Sequence, residues 1–163
     1  MEDAEDKALQ IFIRRDARKS AQANLTQTYV AKRNEEKKVI GYISLMCAEV
    51  ALEKAHAIPD KIRADRYEYH PAVRIARLAV ETGQAGAGLG RQLVETAIGI
   101  VLLSIVPAVG CRFMILDAKP KSIGFYRHMG FRLLDTEENK KKPTPLMFMD
   151  LRNLIDGVDA EEA

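Results

Sequence analysis

The sequence has few cysteines, no long apolar run and almost no excess charge, and each shortage excludes a class of protein. The two cysteines, Cys47 and Cys111, are too few for a disulfide scaffold and belong to no CxxC motif or Cys/His cluster typical of structural zinc. The longest apolar stretch, residues 97–109, is shorter than the ~20 residues of a membrane-spanning helix and contains Pro107. We therefore expect no disulfide framework, no metal site and no membrane span.

The chain also lacks an export signal in its first residues, because MEDAEDK is acidic where such a signal is basic and then apolar. Its 163 residues are 47% hydrophobic and 29% charged, which is typical of a globular chain that buries a core without cross-links. These features predict one cytoplasmic domain over residues 1–163, with acidic tails at residues 1–6 and 156–163.

The distribution of charge is more informative than its sum of +2. Every basic residue except Lys7 lies between Arg14 and Arg152, while both tails are acidic, so the body of the chain is basic. The basic clusters comprise Arg14, Arg15, Arg18 and Lys19, then Lys119 and Lys121, then Lys140, Lys141 and Lys142. They predict either solvated helix faces and a loop tip, or a surface for an anionic ligand.

Hydrophobic periodicity predicts helices and strands that alternate along one chain. Leu9, Phe12, Ile13 and Ala17 recur at helical spacing over residues 7–19, and residues 26–32 and 38–46 are typical of a β-hairpin. After a connection at 48–66, the pattern indicates strands at 73–80, 111–118, 131–135 and 146–151, helices at 91–105 and 120–128, and a charged loop at 136–145. This order predicts an α/β fold with one mixed sheet that contains a parallel pair.

A glycine-rich turn, TGQAGAGLG at residues 82–90, separates a predicted strand from the long helix, whose apolar face includes Leu93, Ala97 and Ser104. Such a turn exposes backbone N–H groups at a helix N-terminus, where the helix dipole adds about half a positive charge that favours phosphate. The turn is not a Walker A loop, because no Gly-Lys-Ser/Thr follows, and it does not fit GxGxxG. A phosphate site and a tight packing turn both remain open at this point.

Four segments in order resemble the GNAT superfamily of N-acetyltransferases: RLAV at 77–80, QAGAGLGRQLVETA at 84–97, FMILDA at 113–118 and IGFYRHMGF at 123–131. The small size, the RDA of the first helix and the TYVA…VIGYISL hairpin are similar to the acetyltransferase toxins of bacterial toxin–antitoxin pairs. The resemblance implies a central splayed mixed β-sheet flanked by helices, with acetyl-CoA as co-substrate. It also implies an aminoacyl-tRNA acceptor, a ribbon–helix–helix antitoxin as partner, and a homodimer.

The resemblance further implies which residues hold acetyl-CoA. The pantetheine arm would pair with the strand edge at Leu78, Ala79 and Val80, and the pyrophosphate would lie on Gln84, Ala85, Gly86, Ala87, Gly88, Leu89, Gly90 and Arg91. The family pattern is Gln/Arg-x-x-Gly-x-Gly/Ala, and its first position here is Ala85, with Gln84 one residue early. Because backbone N–H groups supply most of the phosphate contacts in such a loop, we expect CoA binding without that side chain.

Acetyl transfer needs a neutral amine, a stabilised oxyanion and help for the leaving thiolate. Backbone amides of the 78–80 segment are expected to stabilise the oxyanion, and the family pattern marks Tyr126 as proton donor to the thiolate. Transfer from a tyrosine near pKa ~10 to a thiolate near ~8.5 is uphill by roughly 2 kcal/mol, so we expect Tyr126 to act mainly through a hydrogen bond. Glu81 and His70 are candidate bases, although an α-amino group with pKa ~7.7–8.0 needs little help.

Three functions are compatible with these residues. The first is a toxin-type enzyme that acetylates aminoacyl-tRNA, and the second is a GNAT enzyme that acetylates a small-molecule amine or a protein N-terminus. The third is a CoA-binding module without activity, for which Ala85 is the motivating departure. Other reactive side chains are expected outside the site, with His128 at the surface and Cys47 and Cys111 buried as inert thiols.

Overall fold

The computed structural model describes residues 4–52, 67–84 and 86–161. The chain begins with three consecutive helical segments: α1 (Ala4–Ile11), a π-helical turn that we name π1 (Phe12–Asp16), and α2 (Ala17–Gln22). The predicted helix at residues 7–19 is confirmed and is longer at both ends. In π1 the N–H of Ala17 donates to the carbonyl of Phe12, the i→i+5 pairing of a π-turn, and both residues are buried. The π-turn therefore places Phe12 and Ala17 on one buried face.

The first three strands follow the predicted order. β1 (Gln27–Lys32) and β2 (Val39–Ala51) form the predicted antiparallel hairpin, with Gln27 opposite Leu45 at one end and Lys32 opposite Val39 at the other. β2 continues past its predicted end at residue 46, and β3 (Tyr69–Val80) begins before its predicted start at residue 73. Residues 53–66, most of the predicted connection, lie outside the described residues.

The predicted mixed sheet with one parallel pair is confirmed. β4 (Phe113–Asp117), β5 (Arg132–Leu133) and β6 (Leu146–Asp150) complete a six-stranded sheet in the order β1-β2-β3-β4-β6-β5. β3 and β4 are parallel through Ala72–Arg74 and Phe113–Ile115, whereas β4 and β5 both run antiparallel to β6. Four of the five residues of β4 are buried, as the continuous apolar run predicts for a central strand.

The long helix is also confirmed, with one difference. α3 (Leu89–Ile100) follows the glycine-rich turn and continues into a second π-helical turn, π2 (Val101–Ile105). Leu93, Ala97 and Val101 are buried on its apolar face. Ser104, predicted on the same face, is exposed because the π-turn changes the angle between successive residues.

Three shorter helices lie in the second half of the chain. A 3₁₀ turn (Pro120–Ser122) leads into α4 (Ile123–His128), which confirms the helix predicted at residues 120–128, and Gly130 follows its end at a φ of +96°. α5 (Glu137–Lys140) lies within the segment 136–145 that was predicted as a loop, because the side chain of Thr136 caps its first turn. α6 (Leu151–Glu161) includes much of the segment 156–163 that was predicted as an acidic tail.

A buried side-chain amide holds the connection between β5 and β6. Asn139 is 2% exposed, and its Nδ2 donates to the carbonyls of Leu134 at 2.9 Å and Leu146 at 3.0 Å. Its Oδ1 accepts from the N–H of Leu146 at 2.8 Å. The side-chain amide thus makes the kind of hydrogen bonds that a backbone peptide of a neighbouring strand would make, at the point where β5 and β6 separate.

The chain divides into two compact units, which we call unit 1 (Met1–Cys47 and Ile75–Ile100) and unit 2 (Ala48–Arg74 and Val101–Ala163). Phe12, Ala17 and Tyr42 form a buried cluster in unit 1, against which Ala79 packs. The corresponding cluster in unit 2 comprises Val50, Ala72, Phe113, Ile115 and Phe148. The expectation of a single domain over residues 1–163 stays a prediction.

The expectation that both cysteines are buried is wrong. Cys47 is exposed and Cys111 is half-buried. The buried run of β2 ends at Leu45, and Met46 and Cys47 after it are both exposed, so an apolar sequence does not mark a core position here. No helix in the described part of the chain combines the length and the apolar character that crossing a membrane requires.

Candidate active site

The glycine-rich turn in unit 1 has the conformation that its sequence requires. Residues Thr82–Gln84 form a 3₁₀ turn, and the N–H of Ala87 then donates to the carbonyl of Gln84 at 3.2 Å before α3 begins at Leu89. Gly86 and Gly88 have φ values of +83° and +81°, in the left-handed region that side chains with a Cβ rarely adopt. Ala85, between Gln84 and Gly86, lies outside the described residues.

The space beside these glycines is open. A Cβ added at Gly86 or Gly88 would meet no atom within 4 Å, so backbone conformation rather than packing requires glycine at both positions. The turn leads into the N-terminus of a helix of 12 residues, where the first N–H groups lack intrahelical acceptors. An open, positively polarised backbone of this kind fits a phosphate group.

The end of β3 packs closely against the start of α3 because of a residue that sequence reasoning missed. A Cβ at Gly41 in β2 would lie 3.1 Å from each of three atoms: the carbonyl oxygen of Ala79, Cδ2 of Leu89 and Cδ1 of Leu93. The N–H of Glu81 donates to the carbonyl of Ile40 at 2.8 Å beside it. The available signal was a glycine within a strand pattern, VIGYI, which marks a close backbone approach.

Tyr126 lies in α4 of unit 2, whereas the turn and the end of β3 belong to unit 1. Its side chain is 8% exposed, with edge-on ring contacts to Phe125 and Phe131. Desolvation by this burial raises the pKa of Tyr126 to about 12. The hydroxyl therefore keeps its proton at neutral pH and can donate a hydrogen bond.

The two candidate bases are held by other contacts. The carboxylate of Glu81 lies 2.5 Å from the ammonium of Lys38, on the surface of unit 1. His70 is buried in unit 2, where its ring meets the ring of Phe113 edge-on at 5.7 Å between centroids. His128 is exposed, as expected. These environments favour an ion pair and a core histidine over general bases.

The basic side chains of the chain differ in whether they form ion pairs. Arg91 pairs with Glu95 at 2.8 Å, and Lys140 pairs with Asp135 at 2.5 Å. In contrast, Arg14, Arg15, Arg18 and Lys19 on π1 and α2 are exposed, and no described carboxylate forms an ion pair with any of them. We call these four residues the α2 basic cluster. With Asp16 among them, these residues still carry a net positive charge, which is the property required for attracting a polyanion.

Comparison with known proteins agrees with the arrangement of the sheet and the turn. Residues 24–133 match the model of the acetyltransferase (GNAT) domain. A tRNA-acetylating toxin of Mycobacterium tuberculosis is 30% identical over 121 residues, which are 72% of this chain and 68% of that protein.

Solved structures extend the similarity to nearly the whole chain. AtaT complexed with acetyl-methionyl-tRNAfMet is 26% identical with a TM-score of 0.75, over 91% of this chain and 84% of that one. A Tyr-to-Phe mutant of AtaT, bound to the C-terminus of the antitoxin AtaR and acetyl-CoA, is 25% identical with a TM-score of 0.72, over 93% and 84%. The chain therefore belongs to the GNAT acetyltransferases and is related to their tRNA-acetylating toxins.

Proposed function

We propose that the protein transfers an acetyl group from acetyl-CoA to the amino group of an aminoacyl-tRNA in the cytoplasm. The observation that carries the choice of acceptor is the α2 basic cluster, whose four exposed cations have no carboxylate partner among the described residues. The similarity to a tRNA-acetylating toxin and to AtaT in complex with an acetylated aminoacyl-tRNA supports the same acceptor. AtaT is also bound by an antitoxin, which supports a small antitoxin as partner.

The glycine-rich turn is proposed to bind the pyrophosphate of acetyl-CoA. The positive φ values of Gly86 and Gly88, the open space beside them and the N-terminus of α3 support this assignment. The backbone edge at Leu78, Ala79 and Val80 is proposed to hold the pantetheine arm. When bound, acetyl-CoA would supply the activated acetyl thioester, and the N–H groups of this edge would donate hydrogen bonds to the thioester oxygen.

Tyr126 is proposed to assist the leaving thiolate as a hydrogen-bond donor. With a pKa of about 12, a full proton transfer from its hydroxyl to a thiolate near pKa ~8.5 is uphill by roughly 5 kcal/mol. The buried phenol therefore keeps its proton, and as a hydrogen-bond donor it would stabilise negative charge on a thiolate. A hydrogen-bond donor must be well positioned but need not release its proton. The rings of Phe125 and Phe131 restrict the movement of Tyr126 and so help to position its hydroxyl.

The amine of an aminoacyl ester needs no strong base in this site. The α-amino group has a reference pKa of ~7.7–8.0, so a substantial fraction is neutral at physiological pH. The positions of Glu81, paired with Lys38, and of buried His70 agree with such a substrate. A lysine or polyamine amine, with a reference pKa near ~10.4, would require a base that these residues do not provide.

The experiment is to incubate the protein with acetyl-CoA and a fully charged tRNA pool, digest the RNA with nuclease, and identify acetylated aminoacyl-adenosine by mass spectrometry. Release of free CoA is measured in parallel with small amines and with a peptide N-terminus. Acetylated product from tRNA alone supports the proposal. CoA release with small amines or the peptide and no acetylated tRNA would instead assign the second function, and no CoA release with any acceptor would indicate a binding module.

A further inference from the structure

Arg77 lies in unit 1, immediately before the proposed pantetheine edge, and the mechanism above gives it no role. Its Cζ lies 3.8 Å from the centre of the buried Phe12 ring. Alternate residues of a strand share a face, so Arg77 lies on the same face of β3 as Ala79, which packs against the Phe12, Ala17 and Tyr42 cluster. The guanidinium is therefore held half-buried on the side of β3 that faces π1.

The contact with the Phe12 ring uses none of the guanidinium N–H groups as hydrogen-bond donors to a polar atom, so they remain for other partners. No described residue forms an ion pair or hydrogen bond with Arg77. Arg74 on the same strand differs, because its guanidinium contacts Asp117 at 2.5 Å. A half-buried guanidinium without an anion is costly, whereas one that receives an anionic ligand recovers this cost on binding.

The chemistry of the missing partner follows from the shape of the donor group. A guanidinium fork pairs with phosphate through two parallel hydrogen bonds, and contact with an aromatic ring restricts the movement of the guanidinium before a ligand binds. π1, which contributes Phe12 to this contact, also carries Arg14 and Arg15 of the α2 basic cluster. A polyanion attracted by that cluster would bring phosphates to the same unit.

We propose that Arg77 binds a phosphate near the acceptor end of the RNA substrate and thereby positions the aminoacyl ester at the Leu78–Val80 edge. The inference rests on the proposed function and adds a substrate-positioning residue to it. Phe12 belongs to the same arrangement, because its ring lies 3.8 Å from the Cζ of Arg77 and limits where the guanidinium can lie.

The test compares Arg77→Gln and Arg77→Lys with the wild-type protein on two acceptors, aminoacyl-tRNA and a phosphate-free 3′-aminoacyl-adenosine. Loss of a charged, bidentate contact lowers kcat/KM for aminoacyl-tRNA by about 10- to 100-fold in Arg77→Gln. The same variant acetylates the phosphate-free ester within about twofold of wild type, and Arg77→Lys recovers part of the loss. Arg74→Gln, which removes an arginine already paired with Asp117, is the matched control and keeps the wild-type ratio between acceptors.

Two outcomes would overturn the inference. If Arg77→Gln lowered kcat/KM equally for both acceptors, Arg77 would have a structural role in supporting Phe12. Circular dichroism would show whether unfolding of the variant causes that lower activity. A lower affinity of Arg77→Gln for CoA in calorimetry would assign the phosphate to CoA instead of RNA. Failure of the wild-type protein to acetylate any tRNA, with activity on other amines, would refute the proposed function itself before the variants are compared.

Discussion

Gly41 provides a quantitative test of the close packing between β2, β3 and α3 in unit 1. In Gly41→Ala the new methyl group would lie 3.1 Å from the Ala79 carbonyl oxygen and from the tips of Leu89 and Leu93. The leucine tips can rotate away, but the carbonyl belongs to the backbone of β3 and can move only with the strand. Overpacking of this kind costs about 1–3 kcal/mol, and the stiffer unfolded chain of the variant offsets about 0.4–1 kcal/mol of it.

Gly99 supplies the matched control, because a Cβ added there meets nothing within 4 Å. Gly99 lies inside α3, where alanine is favoured over glycine by about 0.5–1 kcal/mol. We therefore expect Gly41→Ala to lower the free energy of unfolding by about 1 kcal/mol and Gly99→Ala to raise it, a separation of roughly 2 kcal/mol.

Urea denaturation followed by circular dichroism measures both changes, and titration with CoA measures their effect on the proposed site. Ala79 and Leu89 belong to the segments assigned to CoA, so Gly41→Ala should also weaken CoA binding several-fold while Gly99→Ala should not. The reasoning is refuted if Gly41→Ala is as stable as wild type, or if the two substitutions change stability in the same direction.

Four further results are expected. Gly88→Val should raise the Kd for CoA at least tenfold in calorimetry, because Gly88 has a φ of +81° that valine rarely adopts, whereas Gly110→Val should leave the Kd unchanged. If Gly88→Val bound CoA as tightly as the wild-type protein, the turn would not be the phosphate site. Tyr126→Phe should keep CoA binding but slow the single-turnover step by roughly 10²- to 10⁴-fold, and a rate within threefold of wild type would exclude a role in catalysis. The pKa of Tyr126 is about 12 in the folded protein, against 10.0 for the ordinary side chain, so its contribution to the free energy of unfolding is complete below pH 10 and is lost as the pH rises towards 12. Urea denaturation at several alkaline pH values should therefore show a smaller loss of stability in Tyr126→Phe than in the wild-type protein. Binding of labelled tRNA should weaken with salt by roughly 0.7–0.9 log units per log unit of salt for each phosphate contacted, and replacing both Arg14 and Arg15 by Gln should make the slope shallower; a slope near zero for the wild-type protein would contradict an RNA substrate.

The regular elements could be predicted from the sequence because their signals are local. The apolar run at 111–118 predicted a strand, and β4 within it is buried along most of its length. The helix predicted at residues 120–128 ends at His128, and Gly130 after it has the positive φ that is common just beyond a helix end. In each case a few neighbouring residues contain the whole signal.

The π-turns show where local reasoning stops. The stripe of Phe12, Ile13 and Ala17 was assigned to an α-helix, but Phe12 and Ala17 reach one buried face through a π-helical hydrogen bond. Both residues pack against Tyr42 of β2, a contact between residues distant in sequence that a helical pattern does not contain. Ser104 was placed on the wrong face for the same kind of reason.

The candidate site was predictable only in part. The roles of the glycine-rich turn and of Tyr126 were assigned through the resemblance to the GNAT family, and they stay predictions. Gly41 was missed since its role depends on atoms of Ala79 and Leu89 brought to it by the fold. The sequence also does not show which basic residues are paired: Lys140 forms an ion pair with Asp135, whereas no described carboxylate forms an ion pair with Arg14.

The hydrogen bonds around Asn139 affect how readily its side-chain amide can deamidate as the protein ages. Spontaneous deamidation would replace its Nδ2 by oxygen, so that a carboxylate would face the carbonyls of Leu134 and Leu146 where two hydrogen bonds now form. Deamidation requires the backbone nitrogen of the next residue to attack the side-chain carbonyl, and the N–H of Lys140 donates to the Thr136 carbonyl at 3.0 Å within α5. The helical turn that Asn139 anchors thus restrains the nitrogen that would attack it, and the connection between β5 and β6 protects its own amide from conversion to an acid.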